Sequence, residues 1–288
     1  MTLLLGSTFQ PTRNSQGRQA HIAEVAIVLA LRYLKVQTNI KERSSEVAKI
    51  NGDTSAGDAS APALLDGAEN PDHPKTTVWD GRLDHFSEEE IAVRNALADA
   101  ARAANWKAVF GLLDTHRYTL SPNSWRANGK SWYTPLHQAA WHNAPVSVVE
   151  ELIQRGGWRS LRTASGETAH DIAVKKGHIT LGDSLVPPTC KRVDNDVFSK
   201  LDEYLARLVE SRIRPALPVR LRHPATEVLA ETTDQALWFP IPGMYGGFSI
   251  RLMRSYLFVE SWCRVAGGSG QAHVVTTEGF TLVEEGFV

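Results

Sequence analysis

Cysteine is nearly absent from this chain. Its 288 residues include two, Cys190 and Cys263, far apart and with no second thiol or histidine at ligand spacing beside either. This excludes a disulfide framework and a zinc knuckle, predicts no metal site, and fits reduced thiols in a cytoplasmic protein. Net charge is missing too, because 31 Lys and Arg face 32 Asp and Glu for a formal −1. Without a global positive field, nucleic acid is not the expected partner. Long apolar runs are also lacking. The stretch from His21 to Val36 is interrupted by Glu24, Arg32 and Lys35 and falls short of the about 20 residues that span a bilayer, so no membrane contact is expected. The amino terminus has no basic, apolar, then small-residue order, so export is not expected either.

What the chain has in excess is tryptophan. Of eight, five (Trp106, Trp125, Trp132, Trp141 and Trp158) fall in one fifth of the length. With 42% hydrophobic residues the chain can bury a real core, and its length suggests two domains. Residues 1–37 read as an accessory N-terminal segment. Residues 38–78, with three prolines, a Gly52 to Asp58 polar run and few large apolar side chains, read as a flexible linker. Order is expected to begin at Phe86-Ser87-Glu88-Glu89-Glu90-Ile91. There Ser87 and Glu90 can form a capping box and Phe86 can staple onto Ile91, opening a helix whose partner runs from Trp106 to Asp114.

The strongest pattern is internal. Thr134-Pro135-Leu136-His137-Gln138-Ala139-Ala140 is followed 34 residues later by Thr168-Ala169-His170-Asp171-Ile172-Ala173, each copy preceding a second helical stretch. Pro135 suits the first turn of a helix, Thr134 can cap it, and Ala139 and Ala140 keep it thin enough to stack. Val148, Val149, Leu152 and Ile153 give the second helix an apolar face, and Gly156-Gly157 provide a positive-φ stop. This resembles the ankyrin repeat, with about three units over residues 87–186. Asn143-Ala144-Pro145 and His170-Asp171 depart from the family pattern. The resemblance implies that His137 hydrogen-bonds between neighbouring turns, and that another protein is bound through the finger loops and the concave helix face. The connection from Arg117 to Tyr133 is an enlarged finger carrying Tyr118, Trp125, Trp132 and Tyr133, the expected partner-binding residues. Trp106 and Trp141, at helical positions, are expected in the core.

No family resemblance extends to residues 189–288. A helix from about Val193 to Ile213 carries Val197, Leu201, Leu205 and Leu208 at helical spacing, and Pro215 and Pro218 end it. Arg212, Arg214, Arg220 and Arg222 form a local basic stretch that is expected to pair with the acidic remainder. Beyond Leu237, strand-like runs around Phe248–Leu252, Tyr256–Val265, His273–Thr276 and Phe280–Val283, broken at glycines and turning at Glu278-Gly279, predict an antiparallel meander. Gly267-Gly268-Ser269-Gly270 lacks the Lys and helix of a phosphate loop, and no cofactor is expected.

The fold class is therefore expected to be α+β: a short ankyrin-like helical stack over residues 79–188, then a helix and a small β-rich domain over residues 189–288. The expected function is a protein-interaction scaffold without catalytic residues. The alternative is an enzyme or small-ligand receptor whose pocket, formed by Glu260, Arg264 and His273 with Glu231 and Tyr245 near it, lies on one face of the meander.

Overall fold

The computed structural model describes residues 77–188, 195–213, 220–232, 236–263 and 268–286. Within them the fold is α+β. Helices α1 (Glu88–Arg102), α2 (Trp106–Thr115), α3 (Pro135–Trp141), α4 (Val146–Gln154), α5 (Ala169–Lys176) and α6 (Ile179–Leu185) make a stack. In it α1, α3 and α5 pack side by side, each pairs with the helix that follows it, and α4 packs on α6. Ser87 caps α1, accepting from the Glu90 amide at 3.2 Å while Glu90 accepts from the Ser87 amide at 2.8 Å. The Phe86 ring faces two guanidiniums, Arg82 at 4.9 Å and Arg94 at 4.6 Å.

The two repeat copies start their helices in the same way with different side chains. Asp171 accepts from the Thr168 amide at 2.9 Å, and His137, at the equivalent position, accepts from the Thr134 amide through Nδ1 at 3.2 Å. His137 Nε2 then lies 3.0 Å from the Leu161 carbonyl and donates to it, joining α3 to the connection ahead of α5. At 1%, 0% and 0% exposure, Leu136, Ala139 and Ala140 lie in the core of the stack with Leu97, Val149, Leu152 and Ile172. Gly156, at φ 92°, ends α4 as its position suggested.

Helices α7 (Asn195–Ile213) and α8 (Thr226–Glu231) cover one face of a six-stranded sheet in consecutive order. β2 (Leu237–Ile241), β3 (Gly246–Leu252), β4 (Leu257–Cys263), β5 (Ser269–Thr276) and β6 (Gly279–Gly286) form the expected antiparallel meander. Alternation sends Phe239, Phe248, Ile250, Val259 and Val275 into the core with Leu201, Leu205 and Leu208 of α7.

The edge strand β1 (Thr77–Val78) pairs parallel to β2, so the last two residues of the expected linker belong to the fold. Segment 1–37 and residues 38–76 lie outside the described residues. After β1 the chain runs through a tight passage. Trp79 N donates to the Trp238 carbonyl (2.8 Å), Arg222 N to that of Gly81 (2.7 Å) and Leu83 N to that of Arg220 (3.0 Å). A Cβ on Gly81 would sit 2.2 Å from the Arg222 carbonyl oxygen, so glycine is required there by space. Trp79 is 1% exposed, stacks on Trp158 at 5.5 Å and 10°, and donates Nε1 to the Arg222 carbonyl at 2.8 Å. Trp158 and Leu161, from the stack, thus share one apolar cluster with the sheet.

Polar contacts close the same junction. The Glu231 carboxylate accepts from Arg159 N (3.0 Å), Ser160 N (2.9 Å) and Ser160 Oγ (2.6 Å), and Arg162 grips Glu227 with two 2.7 Å bonds. Residues 79–188 and 189–288 thus share one buried apolar cluster and a set of charged contacts. Trp79→Ala should lower the unfolding free energy by ~3–5 kcal/mol in a urea titration, because it empties a large site shared by both regions. Tyr118→Ala, at 86% exposure, should change it by less than ~0.5 kcal/mol.

Burial holds the His137 imidazole neutral, its pKa pushed down from 6.5 to about 4, with the Arg222 charge adding to the effect. The unfolded imidazole binds a proton near pH 6.5 and the folded one does not until about pH 4. Stability is therefore full above pH 6.5 and falls as pH drops toward 4, by up to about 3 kcal/mol from this group. His137→Gln should lower the urea midpoint at neutral pH and flatten this acid limb. His273, also pushed down to about 4 by burial, retains part of the slope.

Candidate functional site

The helices of the stack leave one aromatic side chain on the open side. With Leu136, Ala139 and Ala140 turned inward, Gln138, Trp141 and His142 share the opposite face of α3 at spacings i, i+3 and i+4. Trp141, expected in the core, is 44% exposed. Tyr133 meets its ring edge-on at 6.5 Å, and Lys176 Nζ of α5 lies 3.4 Å from the ring centroid. Burial raises the Tyr133 pKa, with Glu167 adding to it, so the phenol remains a neutral donor.

Tyr133, Gln138, Trp141 and His142 line a groove of about 450 Å³ whose other wall carries Arg102, from the last turn of α1, and Arg126. Arg126 pairs with Asp99, whose side chain is 65% exposed. Arg102 is exposed and makes no ion pair among the described residues. The groove therefore presents an aromatic ring with cationic side chains beside it.

Of the four finger residues, only Tyr133 belongs to this groove. Tyr118 lines a different cavity of about 630 Å³ with Arg117, Val78, Pro240 and Pro242, and its hydroxyl accepts from Arg117 at 2.8 Å. Trp125 and Trp132 turn inward. With Trp79 they surround the Arg222 guanidinium at centroid distances of 5.0, 4.7 and 5.4 Å. Trp125 is 5% exposed, so it offers no surface to a partner. The finger is tied down further by Asn123, which donates to the Gly156 carbonyl at 2.8 Å and accepts from Trp158 N at 2.9 Å.

The basic stretch does not act as one surface. Burial lowers the Arg222 pKa to about 10, and its charge is met by indole faces and the Arg162 carbonyl at 2.5 Å rather than by the expected carboxylates. Arg212 donates to Ser261 Oγ and Ser269 Oγ, each at 3.1 Å. Arg214 lies outside the described residues.

Two of the residues expected to form a ligand pocket on the sheet, Glu260 and His273, do not share a face. His273 pairs with Val259 and Glu260 with Ala272, so the two side chains leave opposite faces of the sheet. Arg264 lies outside the described residues, Glu231 is engaged with Ser160, and Tyr245 is 77% exposed. Among the described residues no group of three His, Cys, Asp or Glu could hold a metal ion, and no helix is long and apolar enough to cross a membrane. No family model and no curated protein matches the chain.

Sequence reasoning missed Trp141, although the spacing of Leu136, Ala139 and Ala140 places it on the outer face. Removing the two rings separates the roles. Trp125→Ala should cost ~3 kcal/mol of unfolding free energy, and Trp141→Ala less than ~1 kcal/mol, in urea titrations followed by circular dichroism.

Proposed function

We propose that this chain is a cytoplasmic protein-interaction module built on an ankyrin-like stack, and that it holds its partner in the groove of Tyr133 and Trp141. The reading is carried by Trp141, a large aromatic ring left 44% exposed at the centre of an open groove on the helix face. Tryptophan and tyrosine provide wide, rigid contact for little lost rotamer entropy, which is why they dominate interface energetics. The paired starts at Thr134 and Thr168, the side-by-side row α1, α3, α5 and the His137 bridge support the ankyrin-like part of the reading. The sheet in this account is a brace: it occupies the finger loops and leaves the helix face to the partner.

The test is quantitative proximity labelling in cells expressing the full chain, comparing wild type with Trp141→Ala and Tyr118→Ala. Proteins bound at the groove should fall at least about tenfold with Trp141→Ala and persist with Tyr118→Ala. An unchanged set of labelled proteins in a Trp141→Ala chain of native circular dichroism would contradict the assignment.

A further inference from the structure

The groove differs in its charges from the cavity beside Tyr118. None of the residues lining it is an aspartate or glutamate, and its walls carry Arg102 and Arg126, with Lys176 poised over Trp141. The cavity beside Tyr118 has Asp80 and Glu90 in its wall, both engaged by Arg82. A cationic groove on a chain whose formal charge is −1 is a local arrangement rather than a reflection of composition. The C-terminal ends of α1 and α3 oppose it, but each contributes about half a negative charge that fades within the last turn. The cationic side chains carry full charges.

We infer that the groove binds an acidic peptide segment, with one large apolar side chain of that segment seated on Trp141 and Tyr133 and its carboxylates on Arg102 and Arg126. The inference rests on the partner-binding role proposed for the groove and names the chemistry of the occupant. Among the described residues Arg102 has no ion pair to break. Arg126 is held by Asp99, and because that carboxylate is 65% exposed, a carboxylate of the peptide can take its place on the guanidinium with little change in desolvation. Nucleic acid is the lesser fit, because three cations around one exposed indole make a short electrostatic footprint.

A displayed library of random peptides selected on the full chain tests this, followed by fluorescence anisotropy with the most enriched peptide. Enriched sequences should carry Asp or Glu close to a large apolar residue. Trp141→Ala should abolish their binding, Arg102→Glu should weaken it about tenfold, Arg102→Lys should restore most of the loss, and added salt should weaken it further. Circular dichroism of each variant establishes that the fold is intact. Peptides that need Trp141 but show no acidic excess, and that bind Arg102→Glu as well as wild type, would overturn the inference while leaving the groove as the partner site. Failure to enrich any peptide that depends on Trp141 would overturn both. Tighter binding of an oligouridine RNA than of the selected peptide would likewise contradict it.

Discussion

The stacked pair Trp79 and Trp158 is the contact on which the rest of the molecule depends. Trp79 belongs to the chain leaving the edge strand, Trp158 to the loop after α4, and the Trp79 indole N–H reaches the Arg222 carbonyl across 143 positions of sequence. One buried ring thereby fixes three distant segments. The short strand β1 is held on the sheet, the loop at 157–161 is held on α8, and the segment before α8 is held against Gly81, where nothing larger than hydrogen fits. A helical stack of three pairs is marginal alone, because each unit contacts only its neighbours. Its shared core with the sheet adds the buried surface that so short a stack lacks.

This junction decides which aromatic rings of the finger are covered. Among the described residues Arg222 has no carboxylate partner, a state that in an apolar site is costly, and the faces of Trp79, Trp125 and Trp132 answer its charge. Trp132 adopts φ 56°, a conformation disfavoured for a residue with a bulky side chain, so the contact with Arg222 also holds local backbone strain. The enlarged finger is consequently an internal clamp. The proposed binding surface lies instead on the helix face, where Trp141 stays 44% exposed beside Tyr133 and Lys176.

Much of the fold is legible in the residues. Ser87 with Glu90, Thr134 and Thr168 at the helix starts, Gly156 at a helix end, and the leucines of α7 each act through near neighbours, so local pattern suffices to find them. The meander is legible for the same reason. Trp79 is not, because a two-residue strand has no periodicity and its partners lie far along the chain. Likewise the burial of Trp125 depends on Arg222, and the separation of Glu260 from His273 depends on a register set across the connection between β4 and β5. The exposure of Trp141 lay within reach: its neighbours Ala139 and Ala140 define the inner face of α3, and the ring sits off it.

The division between buried clamp and exposed groove can be read directly by hydroxyl-radical footprinting of the native chain, with oxidation measured at each tryptophan by mass spectrometry. The account predicts fast modification of Trp141 and strong protection of Trp79 and Trp125. Oxidation of Trp125 at the rate of Trp141 would mean that the finger stands free of the sheet, and would contradict the central claim.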